Sequence, residues 1–174
     1  MADFFSGIEN TKQEGASKGQ WFRDGDYLVE IQSFTARASE HPDRKGQGVA
    51  IVECNVLEVL RDAGEGNPSG TKVAWFNVLE RAFDGNLTAK GERAMGRIKN
   101  FASAALGLSA GEESAITANT VGKLTQANPK AKPPYGEGEA LKGLRLRAEV
   151  NTRTSQKTGK AFTNVVWFAV PESE

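Results

Sequence analysis

The chain has 174 residues, 39% hydrophobic and 25% charged, and its 22 basic and 22 acidic side chains give a formal net charge of zero. That length suits one domain with a substantial core. No apolar run approaches the roughly 18–20 residues of a membrane span, and no basic, apolar and small-residue leader pattern opens the chain, so a cytoplasmic protein is expected. Residues 1–20 place Phe4 and Phe5 ahead of a Gly-, Ser-, Lys- and Glu-rich segment without sustained periodicity, the composition of a mobile arm. Trp21 and Phe22 follow and are read as stapling that arm to the domain.

Residues 27–38 alternate, with Tyr27, Val29 and Ile31 on one face and Glu30 and Gln32 on the other, the pattern of a half-buried strand. The breaker-rich loop 39–48 holds Arg44, Lys45 and a solvated His41, the chain's one histidine. A second strand, 49–60, runs antiparallel to the first. It sets Cys54, the one cysteine, among Ala50, Val52 and Val56, where a thiol behaves as a small hydrophobe rather than a nucleophile. With one Cys and one His, neither a disulfide framework nor a Cys/His zinc site can form within one chain. After a turn at 61–70 comes a third strand, 71–79, whose adjacent Trp75 and Phe76 must face opposite ways.

Met95, Ile98, Phe101, Ala102, Ala105 and Leu106 fall on one helical stripe, which predicts a helix from about 88 or 90 to 106 closed by Gly107. Gly91 and Gly96 weaken it by about 1 kcal/mol each relative to alanine. A short helix is expected near 116–126, and the Pro/Gly-rich 128–138 is a loop. The stretch 141–170 reads as a β-hairpin. Its first arm sets Leu144, Leu146, Ala148 and Val150 against Arg145, Arg147, Glu149 and Asn151. Its second arm sets Phe162, Val166, Phe168 and Val170, taken as the core side, against Thr163, Val165 and Trp167. The loop between them offers Gly159 for a positive φ and carries Lys157 and Lys160.

The zero net charge conceals an asymmetry. Residues 1–122 hold 13 basic and 17 acidic side chains, residues 123–160 hold 9 and 3, and residues 161–174 hold two acids. The strongly basic pI of a typical DNA binder is absent, so binding of a polyanion needs a local patch. Arg145, Arg147, Arg153, Lys157 and Lys160, with Arg44 and Lys45, are the candidates for phosphate contact. The other reading of these side chains is a solvated strand face laced with ion pairs. Trp75, Phe76 and Trp167 are the candidates for base stacking, against the commoner fate of a strand aromatic, which is burial in the core. The sequence shows no Gly-rich phosphate loop ahead of a helix, no paired nucleophile and histidine, and no metal-ligand cluster, so no enzyme, cofactor or metal is expected.

Three strands, a helix and a hairpin make a mainly β chain with the element order of the five-stranded OB barrel, its helix between strands three and four. In such barrels the face of strands two and three binds oligonucleotides, flanked by loops that here correspond to 39–48 and 151–160. The pattern Trp21-Phe-x-x-Gly-x-Tyr-x-Val-x-Ile31, a strand ending Val-Leu-Glu-Val59, a helix with Arg97-Ile-Lys-Asn-Phe101 and Ala-Leu-Gly107, and then Leu141-Lys-Gly-Leu-x-Leu with Thr158-Gly-Lys-x-Phe-Thr-Asn resembles phage-encoded OB-fold single-stranded DNA-binding proteins. The resemblance spans about 21–170. It implies a protein that coats single-stranded DNA in phage replication or recombination within the host cytoplasm, with single-stranded DNA and replication or recombination proteins as partners. The short acidic end, 171–174, departs from the long acidic tail of many single-strand binders. The alternative is a phage interaction or structural module that buries the same barrel's exposed aromatics against another chain.

Overall fold

Alternation of apolar and polar side chains commits the first half of the chain to three strands, and a computed structural model shows how they are combined. It describes residues 20–39, 42, 47–64, 66–109, 111–126, 138–154, 156, 159 and 161–171. The elements are β1 (Gln20–Trp21), β2 (Gly25–Ala38), β3 (Gly48–Asp62), β4 (Lys72–Leu79), α1 (Ala89–Leu106), α2 (Ala118–Leu124), β5 (Arg145–Thr154) and β6 (Ala161–Ala169). The sheet order is β1-β4-β3-β2-β5-β6. Strands β2 to β6 form an antiparallel sheet with β2 paired to both β3 and β5, and the two-residue β1 adds in parallel to the edge of β4. The sheet is not closed, because β4 and β6 share no ladder. No helix among the described residues is long and apolar enough to cross a membrane.

The inner face gathers the expected strand residues: Tyr27, Val29, Ile31 and Phe34 from β2, Val52, Cys54 and Val56 from β3, Val73 and Trp75 from β4, and Leu146, Ala148 and Val150 from β5. Helix α1 closes over this face with Ala94, Ile98, Phe101 and Ala102. Four rings meet at the centre. Trp167 lies 5.0 Å from Phe101, 5.3 Å from Trp75 and 5.7 Å from Phe22 between centroids, all edge to face. The core side of β6 is thus the reverse of the expected one: Val165 and Trp167 are buried, Val166 is half-buried and Phe168 is exposed. Trp167 prevails because its ring fills the space between α1 and β4, where no smaller side chain would reach Phe22, Trp75 and Phe101 together.

Helix α1 begins where Thr88 accepts a hydrogen bond from the Gly91 amide (3.1 Å) and ends at Gly107, whose φ of 67° suits the left-handed cap. Gly91, expected to weaken the helix, is required by packing. Its backbone lies on Glu80, and a Cβ there would overlap the Glu80 carbonyl oxygen and sit 3.0 Å from the carbonyl carbon. Gly96 has open space around it. The two glycines should therefore respond with opposite signs. Gly96→Ala is expected to raise stability by about 0.5–1 kcal/mol, and Gly91→Ala to lower it by about 1–3 kcal/mol as the helix is pushed off the strand end. Urea denaturation of both variants checks this, and equal signs would refute the close approach.

Where β4 and β6 fail to pair, α1 supplies a substitute. The Trp167 amide donates to Asn100 Oδ1 (2.9 Å), and Asn100 Nδ2 donates to the Trp167 carbonyl (3.4 Å). One side-chain amide thereby satisfies both backbone groups of Trp167 at the free edge of β6, as a neighbouring strand would.

The expected arm lies, apart from Gln20, outside the described residues. So do His41, Arg44, Lys45, Lys157 and Lys160, most of the Pro/Gly loop, and 172–174.

Candidate nucleic-acid interface

Register decides which of two adjacent aromatics is presented. In the β3–β4 ladder Val52 stands opposite Trp75 and Ile51 opposite Phe76. Since Val52 is in the core, Trp75 points inward and Phe76 outward, half-buried. Strand β1 then sets Trp21 opposite Ala74, and the Trp21 ring stands edge-on to Phe76 at 6.4 Å with 72° between planes. Trp21 is 59% exposed and stays outside the core, whereas Phe22 is buried against Trp167 and Tyr27. Ile51 and Val78 extend the outward apolar strip. Two exposed cations border it: Lys72 on the same face of β4, and Arg37 on β2, two residues beyond Thr35, which stands opposite Ile51.

A buried polar knot holds Trp21 in place. Asn67 donates from Nδ2 to the Trp21 carbonyl (3.1 Å) and accepts the Arg23 amide on Oδ1 (2.8 Å), while its own amide donates to the Tyr27 hydroxyl (3.0 Å). The Tyr27 hydroxyl donates in turn to the Arg23 carbonyl (2.7 Å). Burial, the largest cause, pushes the Tyr27 pKa upward, so the phenol stays neutral and can keep donating. Asn67 was hidden in what reads as a plain turn, where an Asn-Pro pair was the one clue.

The remaining candidates are distributed differently from the expectation. Trp75 and Trp167 are core residues and cannot reach a ligand, which corrects their assignment as stacking platforms. On β5, Arg145 is exposed and sits 3.9 Å from Glu30, whereas Arg147 pairs with Glu149 and covers the Phe168 ring with its guanidinium carbon 4.8 Å from the centroid. Arg153, exposed near the end of β5, has no ion-pair partner among the described residues. Cys54 is buried and its thiol is pushed far up by desolvation, which leaves it protonated and unreactive. An open groove between the β1–β2 connection and the β5–β6 pair is lined by Phe22, Arg23, Asp24, Ala63, Thr152 and Thr163, with Thr152 donating to Asp24 Oδ1 at 2.5 Å. Its carboxylate disfavours an anion.

No protein-family model and no curated protein matches this chain.

Proposed function

We propose that this protein binds single-stranded DNA without sequence preference, doing no chemistry, on the outward face of β3 and β4. The observation that carries this reading is the Trp21–Phe76 pair beside Lys72 and Arg37: flat rings for bases next to charges for phosphates. The arrangement fits an OB barrel left open between β4 and β6. In that barrel β2 is the first strand, paired with the second and fourth, the helix fills the seam, and the outward face of the second and third strands takes the ligand. The aromatic pair lies on that face. The same reading places the protein with the phage-type single-strand binders, acting in DNA replication or recombination in the host cytoplasm.

Surface ion pairs such as Arg145–Glu30 are worth about 0–1 kcal/mol, so a passing phosphate can take over the arginine at little cost. Arg145, Arg147 and Arg153 then extend the cationic border across β5.

Titration with oligo(dT), followed by tryptophan fluorescence at several salt concentrations, tests the proposal. Saturable quenching is expected from Trp21, with affinity falling by a log–log slope of about 0.7 per phosphate contacted. Silence toward single strands, duplex and RNA alike would refute it.

A second reading, a protein-interaction module, is favoured by Phe83. This side chain is fully exposed (110%) at the tip of a hydrogen-bonded turn, in which the Gly85 amide donates to the Ala82 carbonyl, the Ala82 amide to the Asn86 carbonyl, and Arg81 Nη1 to the Gly85 carbonyl. An apolar anchor of that kind would hold its partner as salt is raised, and the same titration separates the two.

A further inference from the structure

Several surface cations meet acids. Arg61 lies 3.2 Å from Asp26, Lys142 3.6 Å from Glu139 and Arg145 3.9 Å from Glu30, and Arg147 pairs with Glu149. Those on α1 do not. The helix carries Lys90, Arg93, Arg97 and Lys99 against Glu92 alone, and none of the four cations is in an ion pair among the described residues. At 3.6 residues per turn, Lys90, Arg93 and Arg97 fall within about 60° of one another on a stripe about 10 Å long. Arg93 and Arg97 are four residues apart, where like charges repel. Arg97 is also half-buried beside the packed positions Ala94, Ile98 and Phe101, so its guanidinium has lost part of its water. Its pKa is lowered, first by that burial and then by Arg93.

Two guanidinium groups one helical turn apart, one partly desolvated and neither in an ion pair among the described residues, oppose folding slightly and favour any anion that joins them. The turn at 81–87, closed by the Arg81–Leu87 bridge, leads straight from the end of β4 to this helix. The start of the stripe therefore lies at the end of the strand that presents Phe76, where Gly91, between Lys90 and Arg93, packs on Glu80. Resting on the single-strand reading above, we propose that the Lys90–Arg93–Arg97 stripe of α1 is a second contact for the phosphodiester backbone, carrying a bound strand off the sheet and onto the helix. Arginine suits this role because its planar fork engages phosphate oxygens two at a time.

The test compares the wild-type chain with an Arg93→Gln/Arg97→Gln double variant and an Arg93→Lys/Arg97→Lys control. Each is titrated with a long oligo(dT) and with one of about four nucleotides, near the lower end of the site sizes of such barrels. On the long strand the glutamine variant should lose affinity and show a salt slope shallower by about 1.4, two contacts at about 0.7 each. On the short strand it should match wild type, and the lysine control should keep the steep slope on both. Thermal melting should place the glutamine variant no lower than wild type, since only repulsion is removed. An unchanged slope on the long strand, with wild type binding normally, overturns the stripe and leaves the single-strand reading standing. Failure of wild type to bind any single strand sinks both. Loss of poly-glutamate binding in the glutamine variant, with DNA binding intact, would assign the stripe to an acidic polypeptide and overturn the proposal.

Discussion

Trp167→Ala is expected to cost about 3–5 kcal/mol of folding stability, the range for removing a fully buried large aromatic, and to lower the urea midpoint accordingly. The residue is 1% exposed and touches Phe22, Trp75 and Phe101, each from a different element or connection. Its removal opens a cavity that Phe22 on one side and the mutually packed Trp75 and Phe101 on the other cannot all collapse into. Trp167→Phe should cost much less, because it keeps a ring at the site and deletes an indole Nε1–H that is buried without an acceptor among the described residues. A Trp167→Ala protein as stable as wild type would mean that β6 presents its other face to the core.

The largest functional effect should come from the platform. Alanine at Trp21 or at Phe76 is expected to remove about 1–3 kcal/mol per stacked base, roughly a five- to 150-fold loss of affinity for oligo(dT), measured by fluorescence anisotropy of labelled DNA. Trp21→Phe separates binding from its optical signature: affinity should largely survive while the quenching disappears, because Trp75 and Trp167 are sealed in the core. Quenching that persisted in Trp21→Phe would move the binding surface away from β1 and β4.

The strands were legible from alternation, and so was α1, whose Thr88 and Gly107 stand where a helix is expected to start and stop. Phase was harder. Both faces of β6 carry large apolar side chains, Phe162, Val166 and Phe168 against Val165 and Trp167, so a period of two fits either choice. The tertiary neighbours of Trp167 decide it, and Arg147 over the Phe168 ring makes the outward apolar residue tolerable. The pair Trp75 and Phe76 posed the same problem and was resolved by a register with β3 that no local pattern encodes.

The candidate site was less legible than the fold. Phe76 and the cations of β5 can be named as candidates from the sequence and do face outward, but the ring beside Phe76, that of Trp21, is placed by a two-residue parallel strand and by Asn67, 46 residues away in sequence. Neither leaves a periodic trace. Arginine content alone also could not show which cations are already neutralised, since Arg145 and Arg147 meet their acids through sheet geometry whereas Arg93 and Arg97 meet none among the described residues.

The central rings come from positions 22, 75, 101 and 167, and the ring that touches the other three is the last to be made. At a synthesis rate of about 5–20 residues per second, roughly 7–30 seconds separate the appearance of Phe22 from that of Trp167. As β2, β3 and β4 are made during that interval, Phe22, Trp75 and Phe101 lack the partner that joins them. Consolidation of the nascent chain is thus a late event, triggered when the final strand arrives beside Asn100.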